Sequence, residues 1–299
     1  MLQLEIFNAK IYIYRNEIKN EMKFFKFLTL LFSVTTLAQV QTPQASPIAE
    51  FSQIVGLTEI KITYSRPSMR GRKIIGYIVP YGAIWRTGAN DNSLISFSDD
   101  VLVGNKSLKA GKYSLYTRPE KSNWEVYFYN KTDNSGLPKP WDESLIAASL
   151  TVKTKSVSEA RENFTISIES INNNGAFIRL AWEKTEINIP LLVPTDEKAM
   201  STIEKTLSKN PAPSDYYKAA VYFRESGKDL KKAKKWIAYA IKKDPGKFWM
   251  YRQQALILIG LGEKKGAIEA SKNSLKYAVK AGNQDYVKMT NKTIAELSR

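Results

Sequence analysis

The sequence predicts two successive parts: an antiparallel β-sandwich over residues 49–194, then a short α-helical array over 195–299. Three observations carry that prediction. Short runs of alternating apolar and polar residues recur through the first part, with turn residues between them. The periodicity then changes to helical spacing immediately after Pro194. Within the second part, residues repeat at an interval of 34 positions. An open barrel is the alternative arrangement of the strands.

Taken in order, the chain begins with a leader. Met22 opens MKFFKFLTLLFSVTTLAQVQ, with Lys23 and Lys26 ahead of an apolar run from Phe27 to Val34 and a small residue, Ala38, before Gln39. That is the pattern of a secretory signal peptide over 22–38, too short to span a membrane comfortably. Residues 1–21 precede a good initiator methionine and are expected to be an over-extended start. A polar leader over 39–48 follows. No membrane span is expected after cleavage, and the mature chain is expected to be periplasmic or secreted.

The strand signals follow. Ile60, Ile62 and Tyr64 alternate on one face. Leu94–Ser98, Val101–Val103 and Lys112–Thr117 come next. In Trp124–Asn130 the pattern puts Trp124, Val126 and Phe128 on one side and Tyr127 and Tyr129 on the other. A run through Leu150 and Val152, another through Phe164, Ile166 and Ile168, a return through Ala176, Ile178, Leu180 and Trp182, and a last one from Ile187 to Val193 bring the count to about ten strands.

The stretch from Ile60 to Asn90 stands apart. It holds Arg66, Arg70, Arg72 and Arg86, two prolines, and the aromatics Tyr81 and Trp85, with no acid between Lys61 and Asn90. Guanidinium forks suit carboxylate or phosphate oxygens, and aromatic faces suit sugar rings or guanidinium stacking. Arg66, Arg70, Arg72, Tyr81, Trp85, Arg86 and Asn90 are therefore the candidate ligand-binding residues. A structural account of the same residues is also open: Trp85 in the core, Arg86 paired with Asp91, Asp99 or Asp100, Arg70 and Arg72 solvated, Asn90 capping a turn.

In the helical part, Asp196 and Glu197 occupy a first turn, and Met200, Ile203 and Leu207 follow at helical spacing. Asn210–Pro213 breaks the chain. Tyr217, Ala233 and Ala240 are matched 34 residues later by Tyr251, Ala267 and Ser274. Ala233, Trp236, Ile237 and Ala240 form one apolar face with lysines outside it, and 284–298 is expected to cap the stack. Gly260-Leu261-Gly262 follows a helix, not a strand, and reads as an inter-helix turn and not as a phosphate loop.

The segments YSRPSMRGRKIIG and VPYGAIWRTGAN, with LKAGKYSLYT and LAWEKTEINIPL, resemble the DUF2911 family of exported proteins of Bacteroidetes-type bacteria, over residues 45–194. The resemblance implies an envelope location and no established activity. Residues 214–281 resemble tetratricopeptide repeats in period and in part of the signature, with Val221 and Ala255 where that pattern has glycine.

Composition bounds the chemistry. There is no cysteine and no histidine. Thiol nucleophiles, zinc sites built on Cys or His, and Ser-His-Asp catalysis are excluded. No cofactor or metal is expected. The net charge is +16, and residues 195–299 hold 22 basic against 11 acidic residues. Solvated lysines on helix faces account for that excess, and nucleic acid is not expected as a partner. The functional expectation is a non-catalytic binding or scaffolding module of the envelope, taking an anionic glycan or a peptide carboxylate at the arginine–aromatic loop and a protein partner at the helical array. The alternative is a carboxylate-dependent hydrolase or lyase acting on an envelope polymer, drawing on Asp91, Asp99, Asp100, Asp142 and Glu143.

Overall fold

The computed structural model describes residues 14, 15, 18, 19 and 42–299. The leader expected over 22–38 lies outside the described residues, as does the stretch before it apart from those four. Residues 42–47 are mostly exposed and irregular.

Nine antiparallel strands form one sheet. They are β1 (Ile48–Val55), β2 (Thr58–Ser65), β3 (Leu94–Phe97), β4 (Val101–Val103), β5 (Lys106–Leu108), β6 (Gly111–Pro119), β7 (Asn123–Tyr129), β8 (Ile146–Asn172) and β9 (Gly175–Leu192). Their order is β1-β2-β3-β6-β7-β8-β9-β4-β5. The sequence expects two sheets; the structure has one. The reason is the length of β8 and β9. The first part of β8 pairs with β7, from Asn123↔Lys153 to Tyr129↔Ile146, and the rest pairs with β9. Runs that read as separate strands, around Val152 and Phe164 on one side and Trp182 and Ile187 on the other, are continuous. Register shifts between Ser156, Arg161 and Thr165 mark bulges in β8, and Glu183, at φ 55, sits at the matching irregularity of β9.

The sheet curls. β1 and β8 stand five places apart in its order and yet touch. One face therefore closes on a single core that includes Ile60, Ile62, Phe97, Trp124, Val126, Phe128, Phe164, Ile178, Leu180 and Ile189. Alternation along β7 works as the residue pattern requires: Trp124, Val126 and Phe128 enter that core. Tyr127 and Tyr129 face the other way, into a smaller cluster with Tyr116 and Trp141. Trp141 stacks on Tyr129 at 4.6 Å between ring centroids.

Six helices follow: α1 (Thr195–Leu207), α2 (Pro213–Glu225), α3 (Leu230–Lys243), α4 (Phe248–Gly260), α5 (Lys264–Lys280) and α6 (Gln284–Leu297). Each packs on the next. Positions 34 apart occupy equivalent places in the α2–α3 and α4–α5 pairs. Ala233 and Ala240 in α3 are fully buried, and so are Ala267 and Ser274 in α5. The glycine pair after Ile259 is an inter-helix turn: α4 ends at Gly260, and Gly262 takes the left-handed conformation, φ 74, that a helix C-terminus favours.

Sheet and helices meet at Asp99. Its carboxylate accepts from Thr58 Oγ1 at 2.9 Å, Ser98 Oγ at 2.8 Å and Lys198 Nζ of α1 at 2.7 Å. Lys198 also donates to the carbonyl of Leu57.

Candidate functional site

The arginine-rich loop between β2 and β3 divides between two supports. Its first part runs beside the bulge of β8. Met69 N donates to the carbonyl of Glu162, Phe164 N donates to that of Pro67, and Asn163 Nδ2 donates to Ser68 Oγ. Glu183 then anchors the turn, since its Oε2 accepts from Ile74 N and Ile75 N. The later part leaves β8 for β6. Gly82 N donates to the carbonyl of Pro119, and Trp85 exchanges backbone hydrogen bonds with Thr117.

That division separates the candidate residues. Arg66 lines a cleft of about 500 Å3 formed by the bulge residues 157–163 and Thr165. Its Nε donates to the carbonyl of Phe164 at 3.1 Å and its Nη2 to Thr165 Oγ1 at 2.9 Å. Among the described residues, two of the five N–H groups are thus engaged. Arg70 stands beside the same bulge, with its backbone N on Glu162 Oε1. Arg72 folds back on the carbonyls of Met69 and Ser68. Arg86 lies on the other support, where Nη1 donates to the carbonyl of Asn90. Asn90 Nδ2 donates to Ser65 Oγ at 3.4 Å. Tyr81, exposed, lies against Gly76.

Trp85 is half-buried and packs against the core. Its ring stacks on Trp182 at 5.8 Å and 19°, meets Phe164 edge-on at 5.0 Å and Trp124 at 6.2 Å. Its Nε1 donates to the carbonyl of Gly88. It supports the cleft from beneath, through Phe164, whose carbonyl holds Arg66. Of the seven candidate residues, Arg66 alone lines this cleft.

The cleft also holds Arg161, which the sequence reading passed over. It lies in VSEAREN, a polar stretch between two apolar runs, and a basic residue in such a stretch is the only signal it gives. Neither Arg66 nor Arg161 makes an ion pair with another described residue. Glu159, Glu162, Ser158 and Asn163 line the same space. The arrangement can bind a carboxylate through guanidinium groups and receive neighbouring hydroxyl or amide hydrogens on the glutamates.

Residues 46–191 match the model of a family described as "Protein of unknown function (DUF2911)". Residues 46–191 form a DUF2911 domain. The match spans the sheet from the start of β1 almost to the end of β9, and with it the cleft. No curated protein and no solved structure matches the chain.

Four of the five acids proposed for hydrolysis have other partners. Asp100 is held below the usual carboxylate range by Lys109 and by the backbone N–H of Ala110. Asp142 caps the 3-10 turn at Glu143–Leu145 and is held low by Ser144. At Asp99, burial pushes the carboxyl up, but the bonds from Lys198, Ser98 and Thr58 outweigh it and hold the group low. Asp91 accepts from Ser135. Two glutamates, Glu125 and Glu143, do line one polar cavity of about 740 Å3 on the outer face of the sheet. Glu125, however, accepts from Tyr127 Oη and from Arg118, and both lower its pKa against the opposing effect of burial. Burial and that same bond raise Tyr127 to about 12. A carboxyl held ionised is a poor general acid, and a phenol so raised is a poor general base at neutral pH.

Among the described residues no helix is long and apolar enough to cross a membrane.

Proposed function

We propose that this is an exported, non-catalytic binding module of the cell envelope, taking a carboxylate-bearing ligand, a sugar acid or a peptide end, in the cleft of Arg66 and Arg161. The observation that carries the reading is the state of Arg66: a guanidinium fixed in orientation by a backbone carbonyl and a hydroxyl, with donors left over and no ion pair among the described residues. An arginine fixed in place before its ligand arrives loses little side-chain entropy on binding. The leader pattern and the likeness to exported proteins support the location. The basic helical array, tetratricopeptide-like in its period, supplies a second contact surface for a protein partner. Binding is preferred to carboxylate hydrolysis because Asp99, Asp100 and Asp142 are each held ionised by structural bonds.

The test is a binding screen of the mature protein against uronic-acid oligosaccharides and peptides with free or amidated C-termini. Arg66→Ala is expected to weaken the tightest ligand by roughly 10- to 100-fold, as loss of a charge-assisted hydrogen bond does. Arg86→Ala, whose guanidinium serves the Asn90 turn, is expected to bind like the parent. Equal binding by the parent, Arg66→Ala and Arg161→Ala removes the cleft as a ligand site.

A further inference from the structure

Between the sheet and the first two helices lies a further, chemically different cavity of about 540 Å3. Gly56 and Leu57, from the β1–β2 turn, line it on one side. Ala199 and Ile203 of α1 and Val221 of α2 line it on the other. A site of this size, mainly apolar, where a sheet meets helices, is typical of those that hold small molecules.

Two features at this cavity are unspent. The first is Thr195, which lines it at 4% exposure and whose Oγ1 has no hydrogen-bond partner. A buried hydroxyl without a partner is a cost that an isosteric valine would avoid. The hydroxyl sits so close to the β1–β2 turn that a side chain on Gly56, already left-handed at φ 57, would collide with it. The second feature is charge. Three charged side chains reach the lining. Asp215 lies in the first turn of α2, where it accepts from the backbone N of Ala212 and the helix dipole partly offsets its charge, and Glu225 is paired with Arg224. Lys218, exposed, makes no ion pair among the described residues. The cavity therefore combines apolar walls, one unmet hydroxyl and one lysine with no ion pair among the described residues.

We infer that the cavity binds an aliphatic carboxylate, its chain against Leu57, Ile203 and Val221, its head group accepting from Thr195 and paired with Lys218. Charge complementarity selects the head group: with both acids engaged, an anion meets attraction from Lys218, and a cationic amphiphile of the same length meets repulsion. The site is independent of the Arg66 cleft, which is polar and carries no comparable apolar lining.

The experiment is calorimetric titration of the mature protein with decanoate, decanol and decyltrimethylammonium. Decanoate is expected to bind tightest and the ammonium weakest. Thr195→Val is expected to unfold no more easily than the parent when free, yet to bind decanoate roughly fivefold more weakly. Lys218→Ala is expected to abolish the preference for decanoate over decanol. Ala199→Phe and Val221→Phe, two separate ways of filling the space, are each expected to abolish binding; either one that folds is sufficient. Decanoate binding that survives a folded filling variant, or that is no tighter than binding of the ammonium, overturns the inference.

Discussion

Trp85→Ala is expected to destabilise the protein by about 3 kcal/mol, the low end of the range for truncating a large aromatic in a core. The ring is the meeting point of Trp124, Phe164 and Trp182, all nearly or fully buried, and its removal leaves a void facing three aromatic partners. It also strips the carbonyl of Gly88 of its indole donor. Urea unfolding followed by tryptophan fluorescence checks this: the midpoint should fall with little change in the slope. The measurement also decides between two roles for the residue. A tryptophan serving as a ligand platform would leave stability within about 0.5 kcal/mol of the parent, as exposed substitutions do. A change that small would refute the core assignment.

Trp85 also shows where the sequence is readable and where it is not. Alternation is readable, because a strand with one buried face must repeat every two residues. Trp124, Val126 and Phe128 separate from Tyr127 and Tyr129 on that rule alone. The helical boundary is readable too: Pro194 stops the last strand, and matched small residues 34 apart mark the buried side of α3 and α5. β1 was hidden because its alternation is blurred. Gln53 is among its inward positions, while Ile48 and Ile54 point out to solvent. The middle of β8 was hidden for a related reason. Bulges at Ser156, Arg161 and Thr165 break the two-residue period, so Val157–Asn163 reads as a linker although the chain stays extended.

The arginine-rich loop resists reading for a different reason. Its composition shows that four guanidiniums are present but not what each one faces. That depends on backbone turns, with Arg70 and Asn90 at positive φ and the segment handed from β8 to β6 between them. Arg72 and Arg86 spend donors on carbonyls of their own loop, and only Arg66 lines the cleft. Arg161, its companion there, arrives from a position 95 residues further along the chain. A cluster assembled by a β-bulge has no signature in local spacing. The presence of Arg66 is therefore legible in the sequence, and the shape of the cleft it lines is not.

The junction of sheet and helices carries the second large effect. Asp99→Asn is expected to cost about 2 kcal/mol at pH 7, because it removes the charge from a carboxylate that takes three hydrogen bonds and leaves Lys198 without its counter-ion. Thr58, whose hydroxyl donates to the same group, is fully buried, so a poorly oriented amide there leaves an unmet donor. The pH dependence follows from the direction of the shift. The folded-state pKa of Asp99 is depressed, so its contribution is complete above the ordinary carboxylate value of about 4 and is lost as pH falls through the lower folded-state value. The gap between parent and Asp99→Asn should accordingly be constant from pH 6 to pH 8 and shrink towards zero in strong acid, where the parent carboxyl is itself protonated. Thermal unfolding across that range measures it. A gap that persists unchanged at low pH would mean that the asparagine disturbs packing, and that the Lys198–Asp99 pair does not fasten α1 to the sheet.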